Sequence, residues 1–596
     1  MALPTGHRGS QTPQRATQLG ACTKKYFSDL LVDLLINQGI EYVCFNPGAS
    51  FRGIHDSLVH HPAPEVPTIL MCCHEEISVA IAHGYYKASG KHMAVLVHAN
   101  IGLQHASMAI FNAWCDRVPL LVLGGNGPID AALRRPWIDW IHTSQGIDKL
   151  LSGYTKWTDM PISQAATLES VQRALKLCAA EPHAPCYVAI DSAVQEESLA
   201  DGLLLPAGPV RPERLPALDD QQLSELVEHL MAARHPVIAV DYAALNDKQA
   251  DLLLEVATTA SAAVISRNGR FNVPNTHPLV FQDHDAHLMG ECDFLLALEV
   301  QDLYGLLAHS GQTPHAGLYI ATLDTHSLLI SSWVADSQKL VCADLSLHAN
   351  VVASIPRIAQ AVHAVAEMRT TTAQAQARER IERIAAHKQK QRQALLAHVT
   401  QPADGLTIAQ ALIAIHEAIG HLRWVLTNTG SVTIDTLVRQ LWPIDRSEAY
   451  IGMSGGAGLG YGLGAAIGGA LAHKGTGKLC INLQSDGDLL YTPSALWTLS
   501  AYDIPLLVLV INNRLYLNSK QHAERIADLR QRPTDLSNLA TGFHDNEVDF
   551  VALAKTFDLY SPGSADTPAA IQEKIMDCLT YMETHGKPAL LEIKTL

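Results

Sequence analysis

The stretch Lys478–Asn518, KLCINLQSDGDLLYTPSALWTLSAYDIPLLVLVINNRLYLN, decides the fold. Lys478 to Gln484 and Pro505 to Ile511 are apolar runs of strand length, and Ser494 to Tyr502 has helix length and follows Thr492-Pro493, a favourable helix opening. Strand, acidic turn, helix and strand make a βαβ unit, whose two strands run parallel and end on the same sheet edge. Asp486 follows the first strand and Asn512-Asn513 the second, so a carboxylate and an amide oxygen 27 residues apart in sequence meet at that edge. Hard oxygen ligands of this kind suit Mg2+ or Ca2+. The edge beyond the strand ends is also where open α/β sheets bind ligands. The unit reads as a metal-diphosphate site.

Working outward, the same alternation recurs. Lys24 to Gln38 has helical spacing and stops at Gly39; Glu41 to Phe45 is a strand running into the turn Asn46-Pro47-Gly48-Ala49-Ser50. Thr68 to Cys73 and Met93 to His98 are predicted strands, Ile77 to Ser89 a small-residue helix, Ala99 to Gln104 a turn, and His105 to Cys115 a helix. Pro119 to Leu123 and Ala184 to Ile190 complete a first α/β segment, and proline-rich Pro206 to Pro216 reads as a linker. His235 to Val365 repeats the pattern with strands near Val237, Ala263, Phe294 and Leu318; it lacks a Gly-x-Gly-x-x-Gly turn, so a dinucleotide is not supported. Thr370 to His398 is a polar surface helix. Such alternation predicts an α/β fold of three doubly wound parallel-sheet domains.

The 596 residues exceed one core, and a formal charge of −16 with pI near 6.0 excludes nucleic acid or anionic membrane as main partner. The 11 cysteines are scattered without a zinc or disulfide spacing, and adjacent Cys72-Cys73 read as buried thiols. Residues 1–22 are polar, without an apolar signal core, and read as a mobile tail; no apolar run approaches the roughly 20 residues of a membrane span. A cytoplasmic enzyme is expected.

An Asp in a Gly-containing turn, about 25 residues of strand and helix, then Asn-Asn resembles the cofactor motif of thiamine diphosphate enzymes. The company of that motif strengthens the likeness. HEEISVAIAHGYYKASGK, His74 to Lys91, resembles the segment whose glutamate activates the cofactor, here Glu75; the bland alternative is a carboxylate at a helix N-terminus. VHANIGLQHASMAIFNAW, Val97 to Trp114, is similar to the benzoylformate decarboxylase branch, placing His98 on its active-site histidine and Asn46, Pro47 and Gly48 on its cofactor- and substrate-side turn. Where that branch has serine after Pro-Gly, this chain has Ala49, with Ser50 next. His277 in Pro274-Asn275-Thr276-His277-Pro278 matches a second active-site histidine or a His-Pro common at this point of the fold; both readings stand. In Gly455 to Gly462 the resemblance implies a bulky residue under the cofactor, Leu459, and an accepting carbonyl, Ala457, with Ser431 in a preceding turn. Asp486, Asn513 and the Leu515 carbonyl are the implied Mg2+ ligands, with Gly487 and Asp488 beside the diphosphate. Arg134 to Trp140, aromatic and basic, suits a site entrance or an oligomer contact equally.

The resemblance implies a pyrimidine-binding domain at 23–200, a central domain at 208–368, a linker helix at 369–400 and a diphosphate-binding domain at 401–596. It implies thiamine diphosphate and Mg2+ as cofactors. The implied activity is decarboxylation of a 2-oxo acid, acyl carboligation or carbon–carbon lysis through a C2-carbanion and enamine. Acetolactate synthase-like ligation, 2-hydroxyacyl thioester lysis and a catalytically weak binding or regulatory relative are the alternatives. A homodimer or homotetramer with sites at the dimer interface is further implied. Two departures stand out: Ser485 where relatives have glycine, and Asp488, a second carboxylate expected to repel the diphosphate unless it points to solvent or reaches the metal.

Overall fold

The computed structural model describes residues 25–596 apart from 244, 268, 312–316, 326–338 and 544–545; the expected tail at 1–22 lies outside the described residues. Three all-parallel sheets follow one another along the chain. The first contains β1 (Tyr42–Phe45), β2 (Thr68–Met71), β3 (Ala94–His98), β4 (Leu121–Asn126), β5 (Trp157–Asp159) and β6 (Cys186–Asp191), in the order β2-β1-β3-β4-β6-β5. The second contains β7 (Pro236–Val240), β8 (Ala263–Ser266), β9 (Val280–Gln282), β10 (Phe294–Leu298), β11 (Tyr319–Asp324) and β12 (Leu345–His348), in the order β12-β11-β10-β7-β8-β9. The third contains β13 (Trp424–Asn428), β14 (Leu479–Ser485), β15 (Leu507–Asn512), β16 (Ser564–Ala565) and β17 (Ala589–Lys594), in the order β13-β14-β15-β17-β16.

Helices cover both faces of central strands such as β14 and β15, which is why these read as continuous apolar runs. Their register pairs Ile481 with Leu507 and Ser485 with Ile511, so Asp486 and Asn512 leave the sheet side by side. The first and third sheets are joined by the crossing of helices Glu75–Ser89 and Tyr461–Ala472. A Cβ on Gly84 would stand 2.0 Å from the Ala465 carbonyl oxygen, so this approach is open only to glycine.

Three expectations are corrected. The segment Ala99 to Gln104 is not a turn: the helix Ala99–Cys115 starts directly after His98 and carries Gly102 inside it. Cys72 is buried but Cys73 is exposed, because β2 ends at Met71 and the chain leaves the sheet. Strands β5, β9, β12, β13, β16 and β17 are absent from the sequence reading; β5, β9 and β12 are short sheet edges whose burial is partial, whereas β13 and β17 are buried. Among the described residues no helix is long and apolar enough to cross a membrane.

Candidate active site

The turn after β14 is a single helical turn, Asp486–Leu489. Asp486 Oδ1 accepts its neighbour Gly487 N–H at 2.8 Å, and Oδ2 accepts the Arg514 amide at 2.8 Å, which ties the end of β14 to the end of β15. Burial pushes Asp486 up to about 6, against the pull of those amides. The two asparagines divide their work. Asn512 turns inward and donates to Glu592 at 2.7 Å, whereas Asn513 stays at the edge, accepting the Leu515 amide at 3.2 Å. Ser485 has ordinary extended backbone (φ −79°, ψ 146°) and donates to the Gly430 carbonyl at 3.3 Å, fastening the neighbouring turn in which Ser431 caps helix Val432–Leu441.

Asp488 takes neither route expected of it. Its buried carboxylate accepts the amides of Gly460 at 2.6 Å and Gly462 at 3.2 Å and the Gln484 side chain at 2.5 Å. It therefore closes the N-terminus of helix Tyr461–Ala472, whose own cap, Gly460, has no side chain. The Gly-rich turn before that helix is pinned elsewhere by Asn112, which donates to the Gly458 carbonyl at 3.4 Å and accepts the Gly458 amide at 3.2 Å. Within this turn Ala457 is exposed in left-handed conformation (φ 49°) and Leu459 is half-buried.

Glu75 opens helix Glu75–Ser89 and is buried; His105, seven residues beyond His98 on the next helix, lies 3.2 Å from its Oε2 through Nδ1. His74, the helix cap, stacks on His105. Glu76 lies against Gly460 and is pushed up to about 7, by burial first and then by the charge of Asp488. Further along the same helix Lys87 donates to Asp116 and to the Met453 carbonyl, both at 2.9 Å, while His83 meets Asp116 at 2.8 Å. Burial opposes the charge of Asp116, but Lys87 and His83 outweigh it and hold the carboxyl well below the ordinary range.

At the end of β3, His98 Nδ1 is 2.8 Å from Ser50 Oγ and Nε2 is 3.0 Å from Nδ1 of His142. Gly48 makes this possible: a Cβ there would stand 2.6 Å from the His98 ring. Asn46 braces the same turn by donating to the Cys72 carbonyl at 3.0 Å, with Pro47 between them. Burial first, and His142 second, hold His98 below its ordinary value. His142 ends the segment begun by Arg134, which is fixed by the fully buried Asp139 against Arg135 and leaves Trp137 and Trp140 exposed.

His277 stands apart. Its Nδ1 accepts the Leu279 amide, and its carbonyl accepts Lys388 of helix Thr371–Val399; among the described contacts nothing joins it to Glu75 or His98. A cavity of about 930 Å³ opens at the carboxyl edge of the second sheet, beside the Arg117–Glu299 ion pair, but none of the residues above that carry site chemistry lines it except Lys87. Glu75 and His98 follow strands of the first sheet, whereas Asp486 follows a strand of the third, to which the Gly-rich turn is tied through Asp488.

Two family models match the chain. Residues 26–150 match the family model for the N-terminal TPP binding domain of thiamine pyrophosphate enzymes, and residues 429–593 match the model for their C-terminal TPP binding domain. The chain belongs to the thiamine diphosphate enzyme family. As such an enzyme it is 21% identical to an acetolactate synthase large subunit of Haemophilus influenzae, over 93% of this chain and 92% of that one. It is 23% identical to acetolactate synthase isozyme 3 large subunit of Escherichia coli, over 89% and 88%. Its fold is that of benzoylformate decarboxylase from Polynucleobacter necessarius (TM-score 0.75, 16% identity, 96% of this chain and 99% of that one). It is likewise that of a Rhodococcus jostii thiamine diphosphate-dependent 4-hydroxybenzoylformate decarboxylase (TM-score 0.70, 17% identity, 96% and 99%).

The residues of this thiamine diphosphate enzyme fit its cofactor. Each Asp486 oxygen has an amide partner and a further lone pair for a cation, and Asn513 adds a second hard donor at the same edge. Three non-glycine residues in left-handed backbone, Ala99, Ala457 and Arg514, adjoin His98, the Gly-rich turn and Asn513 respectively, where strain of this kind commonly serves a ligand. Sequence reasoning missed His105 and His142. The first becomes visible once the helix is started at Ala99, and the second only through tertiary contact.

Proposed function

We propose that this enzyme decarboxylates a 2-oxo acid at a site to which Glu75 and the Gly-rich turn contribute. What supports the reading most is His98, held between Ser50 and His142 at the same sheet edge: a proton-handling histidine suits a reaction that finishes by protonation. Asp486, Asn513 and the Leu515 carbonyl would hold Mg2+, and Gly487 and Ser431 would lie beside the diphosphate. Leu459 and the Ala457 carbonyl of the Gly-rich turn would hold the thiamine part of the cofactor. Asn46, Pro47 and Gly48 form the substrate-side turn. Asp488 serves by holding the Gly-rich turn. Glu75 would hold the pyrimidine ring of the cofactor and set its protonation. Thiamine diphosphate, when bound, supplies an electron sink for the bond next to the substrate carbonyl. We place the protein in the cytoplasm as a homodimer or homotetramer; His277 takes part in this reading only through a second subunit.

Acetolactate synthases among the relatives favour a second reading, in which a second carbonyl replaces the proton. Incubation with Mg2+, thiamine diphosphate and either benzoylformate or pyruvate separates the two. Benzaldehyde without ligation product supports decarboxylation, and acetolactate supports ligation. Glu75→Gln is expected to lower either rate by about 100-fold or more; an unchanged rate excludes activated thiamine as the agent.

A further inference from the structure

Conversion of a 2-oxo acid anion to an aldehyde, RCOCOO− + H+ → RCHO + CO2, consumes one proton each time. Three side chains form a continuous path for it. Ser50 Oγ accepts the Ala99 amide at 3.1 Å and lies 2.8 Å from His98 Nδ1; His98 Nε2 lies 3.0 Å from His142 Nδ1. Exposure rises along the path: Ser50 is buried, while His98 and His142 are half-buried. Hydrogen-bond chemistry allows two arrangements. In one, Ser50 donates to His98 and His98 to His142; in the other, His142 donates to His98 and His98 to Ser50, whose second lone pair is left for that bond and whose hydroxyl proton then points away from the chain.

We propose that Ser50, His98 and His142 are a proton relay that takes a proton from water at His142 Nε2 and delivers one at Ser50 Oγ. This rests on the decarboxylase reading for the fate of the proton. Starting from the second arrangement, His142 gains a proton at Nε2 and passes that on Nδ1 to His98 Nε2. His98 passes its Nδ1 proton to Ser50, and the Ser50 hydroxyl proton leaves toward the substrate. One proton enters and one leaves, and the chain is left in the first arrangement, from which rotation of the bonds restores it. The charged groups facing His98 are Glu75 and Arg135, and His142 itself. His142 acts through His98 and is a positioning and reloading residue. It was not indicated by any motif.

The test uses the full chain. Glutamine keeps a hydrogen bond to His98 but cannot pass a proton, so His142→Gln is expected to lower kcat on a 2-oxo acid by about 100-fold or more while thiamine diphosphate binding is retained. Ser50→Ala is expected to cause a similar loss, and the double variant no greater one, as for residues acting as a unit. Independently of turnover, the His98 titration followed by NMR in the cofactor-free protein moves to higher pH in His142→Gln. Additive losses, an undiminished kcat in His142→Gln, or a His98 titration indifferent to that change overturns the relay. A shifted His98 titration in a protein that turns over no 2-oxo acid upholds the coupled chain and overturns the decarboxylase reading instead.

Discussion

The Asp488 carboxylate accepts the Gly460 amide at 2.6 Å, so a residue just beyond one strand caps a helix whose N-cap lies 28 residues earlier in the chain. The negative charge is favourably placed at the helix N-terminus, and it organises the turn that carries Ala457 and Leu459. In Asp488→Asn one acceptor oxygen becomes a donor facing donors. Hydrogen bonds to charged groups contribute about 1.5–3 kcal/mol each. A loss of stability of about 2–3 kcal/mol is expected in chemical denaturation, together with weaker thiamine diphosphate binding in calorimetry.

Ala457 holds a left-handed conformation that favours glycine. Ala457→Gly removes a strain of about 1–2 kcal/mol and adds back some chain entropy, so a net gain of about 0.5–1 kcal/mol is expected. The same change loosens the turn, and cofactor affinity is expected to fall although the melting temperature rises.

Glu76 supplies a pH dependence. With its carboxyl pushed up to about 7 from an ordinary 4.5, the folded chain holds the proton more tightly than the unfolded chain does. Its contribution to stability is therefore complete below about pH 4.5 and is lost as pH rises through 7. In the cofactor-free protein Glu76→Gln is expected to flatten the fall in stability over that window, measured as melting temperature against pH.

Lys87 is buried with Asp116 as its only carboxylate partner among the described contacts. Removing one member of a buried pair strands the other, at a cost of about 3–5 kcal/mol. Asp116→Ala is expected to lose stability on that scale by denaturant titration, whereas changing the exposed Glu169 is expected to alter it by less than about 0.5 kcal/mol.

The legible parts of the molecule are those in which local pattern and tertiary position coincide. Strands β14 and β15 are central and buried on both faces, so their apolar runs announce them; β5 and β12 are edges whose residues are only partly buried, and they carry no such run. Asp486 and Asn513 could be brought together from sequence because a βαβ unit leaves little freedom at its carboxyl edge. His105 was hidden by Gly102, whose presence suggested a turn where the helix in fact begins. His142 is 44 residues from His98, and only the fold joins them. Asp488 is unusual in the sequence, but its direction depends on a helix end that lies earlier in the chain.

The bond from Lys87 to the Met453 carbonyl spans 366 residues of sequence. At the pace of synthesis, roughly 5–20 residues per second, the first partner waits about 20–70 s for the second to emerge. Throughout that interval the small-residue face of helix Glu75–Ser89, with Ala80 and Gly84 at its centre, has nothing to cover it. Catalytic competence thus arrives late in the life of each new molecule, and the nascent first domain is the stage at which a chaperone or premature self-association has its opportunity.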